Sequence, residues 1–238
     1  MKGERLDRLL ARLGLGSRKE VARLVRAGRV RVAGERVFDP GFPVPEGASL
    51  ELDGRPLSVR RHHHVLLHKP RGYVTSRTEG PSVYALLEGF PVRDLSPVGR
   101  LDKDTEGLLL FTTDGLLLHR LTHPKHKVEK RYLVHLLHPA TEEDRRAFRE
   151  GLVLDGEKLL PAELFWEEDP TRVELVLREG RFHQVKRMFA LRGNRVLYLK
   201  RLALGPLALG ALPLGKARYL TEEEEKALYR AVGLGGGA

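Results

Sequence analysis

Apolar residues recur along this chain in different rhythms, and each rhythm predicts a different element. Leu6, Leu9, Leu10 and Leu13 fall three or four apart, the spacing of one helix face, so a helix is expected over 4–13. Gly14 and Gly16 end it. Ser17, with Glu20 three residues later, is a capping-box pattern ahead of a second stripe, Val21, Leu24 and Val25, and Gly28 closes that helix. Val30 and Val32 then alternate with Arg29 and Arg31, the period of a strand with one buried face, and Ala33-Gly34 turns it toward Val37. A further strand around Leu50 and Leu52 ends at Asp53-Gly54, and 53–64 reads as a linker.

Beyond it the rhythm changes to unbroken apolar runs at 65–67 and 108–111, which predict short buried strands. Residues 116–121 read as a helix, 129–134 as a strand entry, and 141–151 as a helix capped by Thr141 with acids in its first turn. Residues 173–177 alternate as a strand, Val185, Met188 and Phe189 mark another helix, and Thr221 caps a last one before a frayed end at 235–238. Antiparallel-type strands with scattered helices give an α+β class rather than a doubly wound one. The division expected is a small domain over 1–60, a linker at 61–64 and a larger domain over 65–238.

A 41% hydrophobic content with 31% charged residues describes a soluble globular chain. No run approaches the roughly 18 apolar residues of a membrane span. The first residues lead into an amphipathic pattern rather than a signal-peptide core, so a cytoplasmic protein is expected. The absence of cysteine excludes disulfides, thiolate nucleophiles and cysteine-based zinc sites. A net charge of +10 points to a polyanionic partner. Residues 1–61 carry 14 Lys and Arg against 8 Asp and Glu, a balance of +6, and the rest of the chain only +4. Within the first quarter, Arg18, Lys19, Arg23, Arg26, Arg29 and Arg31 lie off the apolar positions with Glu20 as the one intervening acid. A charged helix face is usually just solvated, but charge this one-sided fits phosphate contact better.

Candidate chemistry concentrates at 99–107, where three acids, two bases and a threonine separate Gly99 from Gly107 and the buried run that follows. A polar loop at the mouth of a buried strand is where a scaffold carries function, although most loops of this composition are charged surface turns. Histidines at 62–64 and at 119, 123 and 126 invite a metal reading. The first three are adjacent and point in different directions, and the second three are interrupted by Pro124 and surrounded by lysines, so no metal site is expected.

The stretch Arg100-Leu101-Asp102, Asp104-Thr105, Gly107-Leu108-Leu109-Leu110 resembles the signature loop of the RNA pseudouridine synthases, most closely their RsuA-type branch. Lys69-Pro70, Gly72 and Ser76 resemble the first motif of that family. Gly180-Arg181-Phe182-His183-Gln184-Val185-Lys186-Arg187-Met188-Phe189-Ala190 resembles its third. Residues 3–50, with a Ser-capped basic helix and an Arg-Val-Arg-Val strand, resemble the S4-type RNA-binding module, which implies binding by shape and phosphate contact. The resemblance implies isomerisation of a uridine within ribosomal RNA, most closely small-subunit RNA or an assembly intermediate, by a protein taken as a monomer with no membrane association. The reaction breaks N1–C1′, turns the uracil and joins C5 to C1′. It is redox-neutral, so no cofactor is expected.

Asp102 aligns with the family's essential aspartate, as nucleophile at C1′ or base at C2′. Either role needs an ionised carboxylate in a pocket that has expelled water, and Lys186 is the cation expected to pair with it. Arg100 resembles the side chain that fills the vacated base stack. Tyr132 resembles the tyrosine that holds the uracil, with Leu202 packing beside it. Lys69, Arg181, His183 and Gln184 read as RNA contacts, while Asp104 and Thr105 read as loop-shaping. An Asp102–Asp104 glycosidase pair is disfavoured, because two residues apart on one loop they need not flank a substrate. Two rivals remain open: a synthase acting on large-subunit RNA, and a non-catalytic RNA-binding assembly factor.

Overall fold

A computed structural model describes residues 3–57 and 62–234, so Arg60, Arg61 and the 235–238 tail lie outside the described residues. The chain separates into two compact units, Met1–His62 and His63–Ala238.

In the first unit, helices α1 (Leu6–Arg12) and α2 (Arg18–Arg26) pack over a four-stranded sheet of Glu35–Arg36, Val30–Val32, Leu50–Leu52 and Arg55–Leu57, in that order. Leu6, Leu9, Leu10, Val21, Val25, Val30, Val32 and Leu50 form its core, the stripes that the periodicity marks. Ser17 and Glu20 close the expected capping box on α2. The first helix is shorter than the pattern suggests because Glu4–Arg5 pairs as a strand with Pro43–Val44. Asp7, nearly buried, accepts from Arg5 at 3.1 Å and lies 3.4 Å from Arg18. The bond from Arg5 holds its carboxyl below the usual carboxylate range.

The linker read from 53 onward needs correcting at both ends. Asp53 and Gly54 have φ of 52° and 79°, the left-handed pair of a tight hairpin turn, and Arg55–Leu57 returns along Leu50–Leu52. At the far end His64 opens the first strand of the second unit: it is 2% exposed, and its Nδ1 lies 2.9 Å from Thr112 Oγ1.

The second unit is built on one mixed sheet. Its main path runs Glu163–Phe165, Arg172–Leu177, Lys130–Leu136, Val196–Leu204, Glu106–Thr112, His64–Lys69, Ala217–Tyr219. Its pairings are antiparallel except where Val196–Leu204 meets Glu106–Thr112. At that parallel seam Gly107, with φ of 116°, lies so close to Arg201 that a Cβ would come within 2.2 Å of its carbonyl oxygen. The apolar run at 108–111 is unbroken because both faces are covered. Leu108 and Leu110 pack with Leu117 and Leu121 of α3 (Gly115–Thr122), whereas Leu109 and Phe111 pack with Val83, Leu87 and Leu95. Helices α4 (Glu142–Glu150) and α5 (Gln184–Leu191) bury Phe148, Val185, Met188 and Phe189 against Val134, Leu175 and Leu177, and α6 (Glu222–Ala231) contributes Leu228 to the α3 side. The architecture is α+β, with a mainly antiparallel sheet flanked by helices.

Candidate active site

The loop at 99–105 is held from behind by the segment that follows the first strand of the second unit. Lys69 is fully buried. Its Nζ donates to the carbonyl oxygens of Thr105 at 2.7 Å, Asp102 at 3.0 Å, Pro70 at 3.1 Å and Lys103 at 3.3 Å. Gly72 N donates to Lys103 O at 2.7 Å, and Thr75 Oγ1 to Leu101 O at 3.1 Å. Reading Lys69 as an RNA contact is therefore a mistake of position, since its ammonium is spent on the loop backbone. Burial pushes its pKa down to about 8, opposed by the charges of Asp104, Asp102 and Glu106.

This brace presents Asp102 at the mouth of a cleft of about 540 Å³, its side chain 34% exposed. Asp102 Oδ1 lies 3.3 Å from His183 Nε2, and Oδ2 lies 3.7 Å from Lys186 Nζ. Lys186 is thus near Asp102 as expected, but its shorter bonds go to Asp104, at 2.7 and 3.0 Å. Those bonds hold the Asp104 carboxyl below the usual range. The site therefore pairs two carboxylates with one lysine, and Asp104 does more than shape the loop. His183 reaches Asp102 from a left-handed residue (φ 49°) just before α5, with its ring stacked on exposed Phe182 at 3.8 Å.

Gln184 lines the cleft, but its side-chain amide is engaged within the protein. It is 4% exposed, accepts from Arg181 N at 2.9 Å and donates to Glu179 at 3.1 Å, which ties the turn before α5 to the helix. Arg181 lines the cleft but is engaged by the Glu157 carboxylate. Arg100 is exposed at the rim.

The cleft floor comes from the sheet. Lys130, Tyr132, Leu177, Leu199, Arg201 and Leu204 line it, and Tyr132 stands directly across the strand pair from Arg201. Leu202 is not among the lining residues. It is the extra residue at a β-bulge between the pairs Arg131–Ala203 and Tyr132–Arg201, so Leu199 and Leu204 occupy the floor instead. Lys130 and Arg201 carry no local sequence signal and were legible only as charges.

Burial, with the Arg201 charge beside it, pushes Lys130 down to about 8 against the pull of Glu179. Lys130 has no hydrogen-bond acceptor among the described residues, so its charge is a cost to the fold. A folded pKa below the unfolded value means the penalty is complete below pH 8 and relieved as pH rises toward 10.5. Lys130→Met is therefore expected to raise the melting temperature at pH 7, and the gain over wild type should shrink between pH 8 and 10. Thermal denaturation at both pH values checks this, and a gain independent of pH would contradict it.

In the first unit the basic residues of α2 stay at the surface. Arg18, Lys19, Arg23 and Arg26, with Asp7 and Ala22, line a shallow depression. Arg31 is exposed, whereas Arg29 is bound to Asp53 by two bonds, one of 2.8 Å, and is less free for phosphate than the sequence suggests.

Comparison with known proteins agrees with both units. Residues 63–191 match the RNA pseudouridylate synthase family, and residues 4–50 match the S4 domain. The ribosomal small subunit pseudouridine synthase A of Escherichia coli is 42% identical over 92% of this chain and 97% of its own length. The protein of the same name in Vibrio cholerae is 39% identical over 95% of this chain and 100% of its own. A solved pseudouridylate synthase superposes with a TM-score of 0.67 at 36% identity, covering 95% of this chain and 100% of that one. The chain belongs to the RNA pseudouridylate synthase family, with an S4 domain preceding the synthase domain.

Proposed function

We propose that this protein isomerises one uridine to pseudouridine in small-subunit ribosomal RNA, in the cytoplasm and without a cofactor. The observation that carries the reading is Asp102, fixed by its own backbone at the mouth of a cleft floored by Tyr132 and flanked by His183 and Lys186. The small-subunit assignment is supported by relatives of that name that align over nearly the whole chain.

A uridine inside folded RNA must leave its stack before its sugar can reach Asp102. Arg100, exposed at the rim, would fill the space vacated. Tyr132 would hold the extruded uracil by its ring face. Asp102 would attack C1′ or take the C2′ proton, with Lys186 Nζ 3.7 Å from its Oδ2. Lys186, shared with Asp104, would keep its place between turnovers.

The test is tritium release from C5-labelled uridine in transcripts of small- and large-subunit RNA. Release from the small-subunit transcript alone is the expected result. Release from the large-subunit transcript alone would keep the chemistry and overturn the substrate. Binding without release from either would favour the assembly-factor alternative.

The exposed face of α2 would supply the sequence-independent part of the affinity. Replacing Arg23 and Arg26 together by Ala is expected to weaken binding and to lower the slope of log K against log salt by about 1 to 2. Filter binding across a salt series measures this, and an unchanged slope would remove these two residues from the interface.

A further inference from the structure

Arg201 is used by nothing described so far, yet it is the most deeply placed charge in the cleft. It is 2% exposed, and its Nε donates to Leu108 O at 2.8 Å, but its Nη2 has no hydrogen-bond partner among the described residues. A guanidinium normally finds acceptors for its five donors when it is buried. Around it the balance of charge is positive. The Arg201 charge lies close enough to push Lys130 down, and Lys130 Nζ would lie 3.4 Å from a Cβ placed on Gly180. Glu179, the acid that acts on Lys130, already accepts from Leu160 N and Gln184 Nε2. Two cations on an apolar floor with so little compensation are arranged for an anion that arrives from outside. Register says where it would sit. Arg201 and Tyr132 are direct partners across an antiparallel pair, so their side chains rise side by side from one face of the sheet.

Given the isomerisation proposed above, on which this inference rests, we propose that Arg201 is a further catalytic residue, which binds the extruded uracil and holds the negative charge of the detached ring. When N1–C1′ breaks, its electron pair stays on N1 and spreads to O2 and O4. If Asp102 has taken the place of N1 on C1′, C5 bonds to C1′ as the Asp102–C1′ bond breaks and its pair returns to the carboxylate. If Asp102 has taken the C2′ proton, that proton returns to C2′ as C5 bonds to C1′. C5 then loses its proton and N1 gains one. Between the breaking of N1–C1′ and the bonding of C5 the ring is an anion held only by its surroundings, and Tyr132 offers it a face rather than a cation. Arg201 supplies the cation, and Lys130 adds to the field. An RNA phosphate is the other anion that could meet Arg201. It would show in affinity, whereas ring charge shows in the chemical step.

The experiment compares wild type, Arg201→Gln and Arg201→Lys on one RNA carrying either uridine or 5-fluorouridine at the target. Single-turnover loss of the nucleoside is followed, with affinity measured separately. Fluorine stabilises the ring anion by itself, so the fluorinated substrate needs Arg201 less. Arg201→Gln is expected to slow the uridine reaction about 10²-fold with affinity within about twofold of wild type, and the defect should be at least about tenfold smaller on 5-fluorouridine. Arg201→Lys should recover part of the rate. Equal defects on both nucleosides would mean that Arg201 only braces Leu108, and a loss confined to affinity would assign it to phosphate. Either result overturns the proposal. If Arg201→Gln does not fold, Arg201→Lys is judged by the same ratio between substrates. Wild-type conversion with an unaffected Arg201→Gln sinks this assignment alone, whereas no wild-type conversion sinks the underlying reaction and this assignment with it.

Discussion

Asp102→Asn is expected to lower the single-turnover rate of pseudouridine formation by about 10³-fold or more, with RNA affinity within about twofold of wild type. The substitution is nearly isosteric, and what fixes the residue in place is backbone. Lys69 holds the Asp102 carbonyl at 3.0 Å, and Thr105 N donates to the same oxygen at 3.0 Å. Neither bond involves the carboxylate. Lys186 keeps its bonds to Asp104, so no buried cation is stranded. What disappears is the negative oxygen that would act at C1′ or C2′. Asp104→Asn should cost far less, because the Asp104 side chain is 58% exposed and acts on the reaction only through Lys186. Rapid-quench kinetics with filter binding separates rate from affinity, and an Asp102→Asn variant at wild-type rate would remove this residue from the chemistry.

Lys69→Met is expected to injure both the fold and the rate. Methionine matches the length of the lysine stem but offers no donor to the four carbonyl oxygens that now share the ammonium. Breaking a buried charged contact from one side typically costs about 3–5 kcal/mol, and removal of the buried charge itself offsets part of that. Three of those carbonyls belong to the loop that carries Asp102, so the carboxylate should also lose its position. A displacement near 1 Å is enough for a loss of about 10²-fold. The contrast with Lys130 is instructive. Both lysines are pushed down to about 8 by burial, but Lys69 has acceptors that its removal would orphan and Lys130 has none described. Chemical denaturation of the two methionine variants should therefore move in opposite directions at pH 7, and a shift in the same direction would contradict the roles given to them.

Much of this was legible because periodicity reports local burial. The Ser17–Glu20 capping box appears where the pattern puts it, and of the two stripes Leu6, Leu9, Leu10, Val21 and Val25 are buried, while Leu13 lies past the end of α1 and Leu24 is only half-buried. The run at 108–111 is apolar throughout because two separate layers cover its strand. The hairpin at 50–57 was missed because Asp53-Gly54 looks the same whether it ends a sheet or turns it back. Val196–Leu204 was missed as a long strand because the bulge at Leu202 breaks its alternation. The larger errors concern polar residues whose burial depends on distant closure. Nothing near Lys69 or Gln184 in sequence shows that each is enclosed, and the partners of Lys69 lie up to 36 residues away. Arg201 faces Tyr132 only through strand register. Motif resemblance singled out Asp102, which the structure places at the mouth of the cleft, but it could not distinguish side chains that face the cleft from those enclosed behind it.

The proposed function requires that this chain make one pseudouridine in small-subunit RNA through Asp102. The most direct measurement takes small-subunit RNA from a strain lacking the gene, refolded with and without its ribosomal proteins. The RNA is incubated with wild-type protein or Asp102→Asn, and pseudouridine is mapped by carbodiimide treatment and primer extension. A single new stop with wild type and none with the variant is the predicted result. The same stop with both proteins would remove Asp102 from the chemistry, and no stop in the presence of tight binding would rule out the proposed isomerisation.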